Sequence, residues 1–230
     1  MRYINLRTLI LVFLSKLKSN GSIYDNFNLN KTCPKSEYLE IDSQVLELSK
    51  NLLTEYEIIE ANKLLSKAKF VGEIGLDYQV LDNDLKKKQK EVFEKILHMS
   101  ATYKDKILTI HSRRSSEDVV SMIGSNFPGT IILHWFSGSS ATLKRSIKNG
   151  YYFSINPSMI GSKNGQTLVN QIPLEKVLIE SDGPFINIGK RKISPSDVEL
   201  VVSYLAKIHK KTKEQVQIII KNNFLELLNR

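Results

Sequence analysis

The chain repeats one pattern in which a short apolar run ends on a side chain able to bind a metal ion. The four runs are Phe70–Glu73, Ile107–His111, Ile131–His134 and Val177–Asp182. A continuous apolar run bounded by turn and helix signals is typical of a parallel strand buried on both faces. Each run is therefore predicted to be a buried strand with its polar residue at the carboxyl end.

Helical periodicity fills the segments between these runs. Apolar residues recur at helical spacing through the lysine-rich segment 85–103, and Ser115, Ser139 and Thr212 stand where a helix N-cap is expected. Ser194-Pro195 is also typical of a helix start. Strands that alternate with helices predict βαβ units and a parallel sheet, closed or open.

Length and composition indicate one globular domain over residues 1–230. The chain is 41% hydrophobic and 25% charged, and no linker, low-complexity tract or short repeat divides it. Residues 61–230 follow the strand and helix pattern, whereas residues 1–60 are atypical. Segment 26–34 is predicted to be a loop and segment 46–65 a helix, with no recognisable first strand before them.

The N-terminal apolar run Leu9–Leu14 is too short to cross a bilayer, and it lacks a cleavage site. We therefore predict no membrane contact. The single cysteine, Cys33, excludes an intramolecular disulfide, so a cytoplasmic location is expected. A net charge of +9 favours a polyanionic partner, although the same charge also serves solubility alone.

The polar residues at the four strand ends are the candidates for chemistry. Parallel strands of a barrel deliver their carboxyl ends to one mouth, where Glu73, His111, His134 and Asp182 would converge. Imidazoles and carboxylates together suit Zn²⁺, Mn²⁺, iron or Mg²⁺. The alternative is an ion-paired glutamate and core histidines bonded to carbonyl groups. Two histidines at successive strand ends favour the metal site.

Other polar residues near these strand ends have less specific roles. Asp182 could bind a metal ion and accept a proton from attacking water, and Glu180 faces the same side of that strand. Arg113 could contact a phosphate, and an exposed loop arginine is the alternative. The two remaining histidines, His98 and His209, are predicted to be surface or structural residues. Glycines beside Glu73 would let the backbone pass close to a bound group.

The strand-end segments resemble, in order, the motifs of the TatD family of metal-dependent deoxyribonucleases, which are amidohydrolase-like TIM barrels. The similar segments are Gly72–Asp77, Ile110–Arg113, His134–Ser139 and Glu180–Phe185, with Asn223 where the family carries a late asparagine. Four motifs in the right order are far more specific than any one of them. The sequences of segments 134–139 and 181–185 are most similar to those of the QatD subgroup of Qat anti-phage systems.

The resemblance implies an α/β fold, a TIM (β/α) barrel of parallel strands, and hydrolysis of DNA phosphodiesters with one or two divalent ions (Mg, Mn or Zn). It implies Glu73 as a bridging ligand, His111 and His134 as ligands of one ion, and Asp182 as ligand of the other and as base. Arg113 would bind a substrate phosphate. The expected partners are DNA, single-stranded or at ends, and other Qat-type defence proteins.

The N-terminal region of the chain differs from the family pattern. The first histidine is His98, so residues 1–60 contain neither the family's opening His-x-His pair nor its Gly-x-His-Pro motif. The first barrel strand is therefore expected to be missing or degenerate, and one ion on Glu73, His111 and His134 is the simplest site. The sequence leaves open whether the chain as written has catalytic activity. The alternatives are a catalytically defective TatD-like barrel that binds nucleic acid or a partner, and an amidohydrolase acting on a small molecule.

Overall fold

The computed structural model describes the backbone of residues 38–40 and then residues 62, 65–66, 68–79, 82–183 and 187–229. The predictions for residues 1–37 and 41–61 lie outside these described residues. The described chain falls into two compact units, Ser36–Phe153 and Ser154–Asn229. The prediction of one domain over residues 1–230 stays a prediction.

Parallel strands form the centre of the first unit. They are β1 (Tyr38–Glu40), β2 (Phe70–Asp77), β3 (Ile107–Arg113), β4 (Thr130–His134) and β5 (Tyr152–Ile155), and the chain passes into the second unit within β5. Strands β1 to β4 pair in that order, each parallel to the next. The apolar residues of β2, β3 and β4 are buried on both faces, which explains why their runs are continuous rather than alternating. These three predicted strands are confirmed, whereas β1 was not predicted.

Helices follow three of these strands, as the periodicity predicts. They are α1 (Asn83–Ala101), α2 (Ser116–Ile123) and α3 (Ser140–Lys148). The side chain of Ser139 accepts the N–H of Thr142 and so caps α3 as predicted. Ser115 precedes α2 but makes no cap bond, because its hydroxyl donates to the carbonyl of Leu76 at 2.6 Å. This bond ties the start of α2 to β2.

The second unit joins a short strand to four α-helices and a hairpin within its described residues. Its elements are α4 (Pro157–Gly161), α5 (Lys163–Val169), β6 (Val177–Ile179), the antiparallel pair β7 (Asn187–Ile188) and β8 (Arg191–Lys192), α6 (Val198–Ile208) and α7 (Lys213–Leu228), with single 3₁₀ turns at Leu174–Lys176 and Pro195–Asp197. The predicted strand β6 and the predicted terminal helices are confirmed. Helices α4 and α5 and the hairpin were not predicted.

Asn223 fastens helix α7 to the segment around β6. Its buried side-chain amide donates to the carbonyls of Leu174 and Val177, both at 2.8 Å. Thr212 and Gln215 form a capping box at the start of α7, which satisfies two backbone N–H groups. Among the described helices, none combines the length and the apolar character needed to cross a bilayer.

Candidate metal centre

Three of the four predicted site residues meet in the first unit. Nδ1 of His111 lies 2.8 Å from Oε1 of Glu73, and Nε2 of His134 lies 3.6 Å from the same oxygen. The two imidazole rings are stacked, with centroids 6.3 Å apart and planes inclined by 25°. One candidate ligand atom from each residue lies within 4.8 Å of the other two. The three side chains therefore converge, but the prediction that each ends its strand is correct only for His134, because β2 continues to Asp77 and β3 to Arg113.

Two glycines bring β2 close enough to β3 for this contact. A Cβ atom on Gly72 would lie 2.8 Å from Cβ of Thr109, and one on Gly75 would lie 2.0 Å from the carbonyl oxygen of His111. Gly75 also has φ of 140°, a conformation that side chains rarely adopt. The sequence suggested that these glycines approach a bound group. In the structure their close neighbour is strand β3, and the register shifts between Val71 and Ile74.

The donor set fits a divalent metal ion. One carboxylate and two imidazoles suit Zn²⁺ and other first-row divalent ions, and catalytic zinc sites commonly use three protein ligands. The side chains of Glu73 and His111 are 20% and 22% exposed, whereas that of His134 is 4% exposed. The cluster is therefore mostly desolvated, while the side chains of Glu73 and His111 keep partial access to solvent.

The charges within the cluster explain its perturbed pKa values. Burial disfavours ionisation of Glu73, but the charge on His134 and the hydrogen bond from His111 outweigh it and lower the pKa of Glu73 to about 2. Burial likewise opposes the charged form of His111, but hydrogen bonds to Asp77 and Glu73 raise its pKa to about 9. The cluster thus pairs the carboxylate of Glu73 with the imidazolium of His111, and a cation bound at Nδ1 of His111 would take the place of a proton.

Asp77 belongs to this cluster although the sequence analysis did not select it. Its Oδ2 lies 3.2 Å from Nε2 of His111, on the other side of the ring from Glu73. Burial opposes ionisation of Asp77, but hydrogen bonds from His111 and from the backbone N–H of Gln79 lower its pKa. A signal was present, since residues four apart along a strand face the same side. It was overlooked because the apolar run was taken to end at Glu73, whereas β2 continues to Asp77.

Arg113 ends strand β3 with an exposed side chain. Its Cα pairs in register with that of Asp77, and its carbonyl accepts the N–H of Tyr78 at 2.9 Å. His111 and Arg113 are two residues apart, so both face the same side of the sheet. An exposed guanidinium thus lies on the face that carries the cluster, and its contact with a phosphate stays a prediction.

Asp182 belongs to the second unit and is described with it. It is 6% exposed, lies three residues after the end of β6, and has a φ of 50° in the left-handed region. Glu180, at 1% exposed, accepts hydrogen bonds from the Ser154 hydroxyl and from the Asn156 amide, the latter at 3.0 Å. A buried carboxylate is stable when it is bonded in this way. His98 is exposed on α1, and His209 caps the end of α6.

Comparisons with known proteins find similarity to proteins described as metal-dependent hydrolases and deoxyribonucleases. The uncharacterized metal-dependent hydrolase YabD of Bacillus subtilis is 31% identical over 181 residues, which cover 74% of this chain and 70% of YabD. The mouse putative deoxyribonuclease TATDN3 is 28% identical over 164 residues, or 68% of this chain and 54% of that protein. Human deoxyribonuclease TATDN3 is 26% identical over 161 residues, covering 68% and 58%. The chain therefore spans a little over half the length of these mammalian relatives.

Solved structures show the same fold at lower sequence identity. The TatD homologue YjjV of Escherichia coli K12 has a TM-score of 0.67 and 20% identity, covering 82% of each chain. A TatD-family hydrolase of Entamoeba histolytica has a TM-score of 0.66 and 18% identity, covering 80% of this chain and 71% of its own. The predicted α/β TIM-barrel fold is confirmed. The family model for TatD-related DNases matches residues 43–229, so the chain belongs to that family.

Proposed function

We propose that this chain is a metal-dependent hydrolase of DNA phosphodiesters. The observation that carries the proposal is the convergence of Glu73, His111 and His134 on one set of candidate ligand atoms. Membership of the TatD-related DNase family supports the choice of DNA as substrate. The net charge of +9 supports a polyanionic substrate, whose binding is expected to weaken as salt rises.

Each site residue has a proposed role in hydrolysis. Glu73, His111 and His134 would hold a divalent ion (Mg, Mn or Zn), and Glu73 would also be a ligand of a second ion where two are bound. A bound ion would supply positive charge that polarises the phosphodiester and acidifies water. Asp182 accepts the proton of the attacking water. The water oxygen bonds to phosphorus, the bond to the leaving oxygen breaks, and the proton passes to that oxygen.

Arg113 and the wider charge distribution are proposed to position the DNA. An exposed guanidinium can bind a phosphate oxygen through two N–H groups, which would hold the strand beside the cluster. Single-stranded DNA and DNA ends are the proposed substrates, because they give a mouth-like site access to one backbone. A cytoplasmic location is proposed with them, since the chain has a single cysteine.

A paired-variant nuclease assay tests this function. Purified chain is incubated with labelled single-stranded and duplex DNA in Mn²⁺ or Mg²⁺, and the Glu73→Gln variant is compared with Glu94→Gln. Glu94 is an exposed residue of α1 outside the cluster, so its variant controls for loss of a carboxylate. We expect metal-dependent cleavage that Glu73→Gln reduces at least a hundredfold and Glu94→Gln leaves unchanged. Cleavage that is equal in both variants would refute the proposed site.

A second candidate function is a catalytically defective barrel that binds nucleic acid or a partner without turnover. One sequence observation favours it, because no histidine precedes His98 and the family's opening His-x-His pair is lacking in this chain. It predicts salt-dependent DNA binding by the same preparation, with no cleavage in any divalent metal. Metal-dependent cleavage lost in Glu73→Gln would exclude this candidate.

The proposed setting is an anti-phage defence cassette of the Qat type. Support comes from the resemblance of segments 134–139 and 181–185 to the QatD subgroup. The proposed partners are then the other proteins of such a cassette. Cells that carry the cassette are challenged with phage, and replacement of the gene by its Glu73→Gln form is expected to abolish protection. Unchanged protection would contradict a role for this site in defence.

A further inference from the structure

The imidazole of His111 lies between two carboxylates of one strand. Its Nδ1 is 2.8 Å from Oε1 of Glu73, and its Nε2 is 3.2 Å from Oδ2 of Asp77. Both ring nitrogens therefore have an acidic neighbour within hydrogen-bond distance. The two neighbours differ in one respect, because Glu73 also lies 3.6 Å from Nε2 of His134, whereas Asp77 pairs with Nε2 of His111.

The strand register explains this placement. Gly75 is the Cα partner of His111, and Glu73 and Asp77 stand two residues before and after it on the same side of β2. Gly75 carries no side chain, so the backbone of His111 can approach β2 closely between the two carboxylates. The spacing Glu-x-Gly-x-Asp thus forms a slot between the carboxylates of Glu73 and Asp77 that receives His111 from the neighbouring strand.

Asp77 is itself held in place by two further bonds. Its Oδ1 accepts the backbone N–H of Gln79 at 2.8 Å, and its own backbone N–H donates to Oε1 of Gln89 at 2.9 Å. Gln89 is a buried residue of α1, at 5% exposed. One carboxylate oxygen is therefore committed to the turn after β2, and the other is directed at His111. A carboxylate fixed in this way can orient a neighbouring ring.

We propose that Asp77 is a positioning residue that accepts the Nε2–H of His111 and so presents the Nδ1 lone pair to the cation site. The inference rests on the metal site of the proposed function. A neutral imidazole carries one N–H, and the acceptor at one nitrogen decides which nitrogen is left to bind a metal. Because Nε2 of His134 faces Glu73, the two histidines would bind through opposite ring nitrogens.

Metal binding by the stripped protein tests the role of Asp77 without any nuclease assay. Zn²⁺ affinity is measured by calorimetry for the unmodified chain, Asp77→Asn and Asp118→Asn. Asp118 is a matched control, since its carboxylate pairs with Lys90 at 2.7 Å and with the hydroxyl of Tyr78 but is not a cluster residue. We expect Asp77→Asn to weaken binding by about 10- to 100-fold and Asp118→Asn to leave it unchanged.

The two possible failures are distinguishable. If the unmodified chain binds no Zn²⁺, the metal site of the proposed function is refuted together with this inference. If it binds Zn²⁺ and Asp77→Asn binds equally well, only the role of Asp77 is overturned.

Nitrogen NMR of the zinc-loaded chain with Asp77 in place gives a second test. The chain has four histidines, and the signals of the two outside the cluster are removed by His98→Gln and His209→Gln. We expect one metal-bound ring protonated at Nε2 and one protonated at Nδ1. Two metal-bound rings that both carry the proton on Nδ1 would overturn the proposal.

Discussion

The ion pair between Glu73 and His111 should make the stability of the metal-free protein depend on pH. The pKa of His111 is raised from 6.5 to about 9, and that of Glu73 is lowered from 4.5 to about 2. A raised histidine pKa stabilises the folded state fully below pH 6.5 and loses this effect as pH rises through 9. A lowered glutamate pKa stabilises it above pH 4.5, and the effect is lost as pH falls through 2. The contribution is therefore largest between pH 4.5 and 6.5.

The size of the effect follows from the same values. At about 1.4 kcal/mol for each tenfold change, the rise in the pKa of His111 from 6.5 to about 9 corresponds to roughly 3 kcal/mol. The shift of Glu73 reports largely the same interaction, so the two contributions are not added. Both side chains are less than one quarter exposed, at 20% and 22%, so solvent screens the pair only in part.

Urea unfolding of the metal-stripped chain at pH 6 and pH 10 measures this contribution. The quantity of interest is the difference in the free energy of unfolding between the unmodified chain and His111→Gln. We expect this difference to shrink by about 2–3 kcal/mol between the two pH values, because the unmodified chain loses its imidazolium. His98→Gln, an exposed histidine of α1, controls for removal of an imidazole outside the cluster. A difference that is constant from pH 6 to pH 10 would refute the reasoning.

Three further predictions concern residues that support the site and its unit. Gly75→Ala should lower the free energy of unfolding by at least about 2 kcal/mol, because its new Cβ would lie 2.0 Å from the carbonyl oxygen of His111. The control Gly161→Ala should have little effect, since a Cβ there would have no neighbouring side chain or strand within 4 Å. Asn223→Ala should cost about 2–4 kcal/mol in urea unfolding, because it removes two buried hydrogen bonds to the carbonyls of Leu174 and Val177. The control Asn222→Ala, at an exposed neighbouring position, should change stability by less than about 0.5 kcal/mol. Arg113→Gln should weaken DNA binding and reduce the slope of log affinity against log salt by about 1, and an unchanged slope would contradict its phosphate contact.

The sequence predicts the strands of the site because continuous apolar burial has a strong local signal. Strands β2, β3 and β4 are each buried on both faces, so their apolar runs need no tertiary information to be recognised. Parallel pairing then sets the three strands side by side, which places Glu73, His111 and His134 in reach of one another. The roles of these residues, and of Asp182, stay predictions until the experiments above are done.

The end of β2 with Asp77, and helices α4 and α5, were not predicted, for identifiable physical reasons. Gly72 and Gly75 interrupt the apolar run of β2, so the strand seemed to end at Glu73 and Asp77 fell outside it. The glycines are required by the close approach of β3, which is a contact between distant parts of the chain. Helices α4 and α5 are too short for a periodic pattern to emerge, and their starts depend on side-chain caps from Asn156 and Ser162.

The geometry of the cluster also bears on how a metal ion would enter it. His111 is held on both sides by carboxylates, so in the absence of metal a proton satisfies the same Nδ1 that a cation would use. The positive charge of the His111 imidazolium offsets the repulsion between the carboxylates of Glu73 and Asp77. The cluster can therefore form without a bound ion. Binding of a divalent ion at Nδ1 would replace one proton there and would leave the Nε2–H bond to Asp77 in place. The same arrangement of Glu73, His111 and Asp77 would then suit both the metal-free and the metal-bound protein.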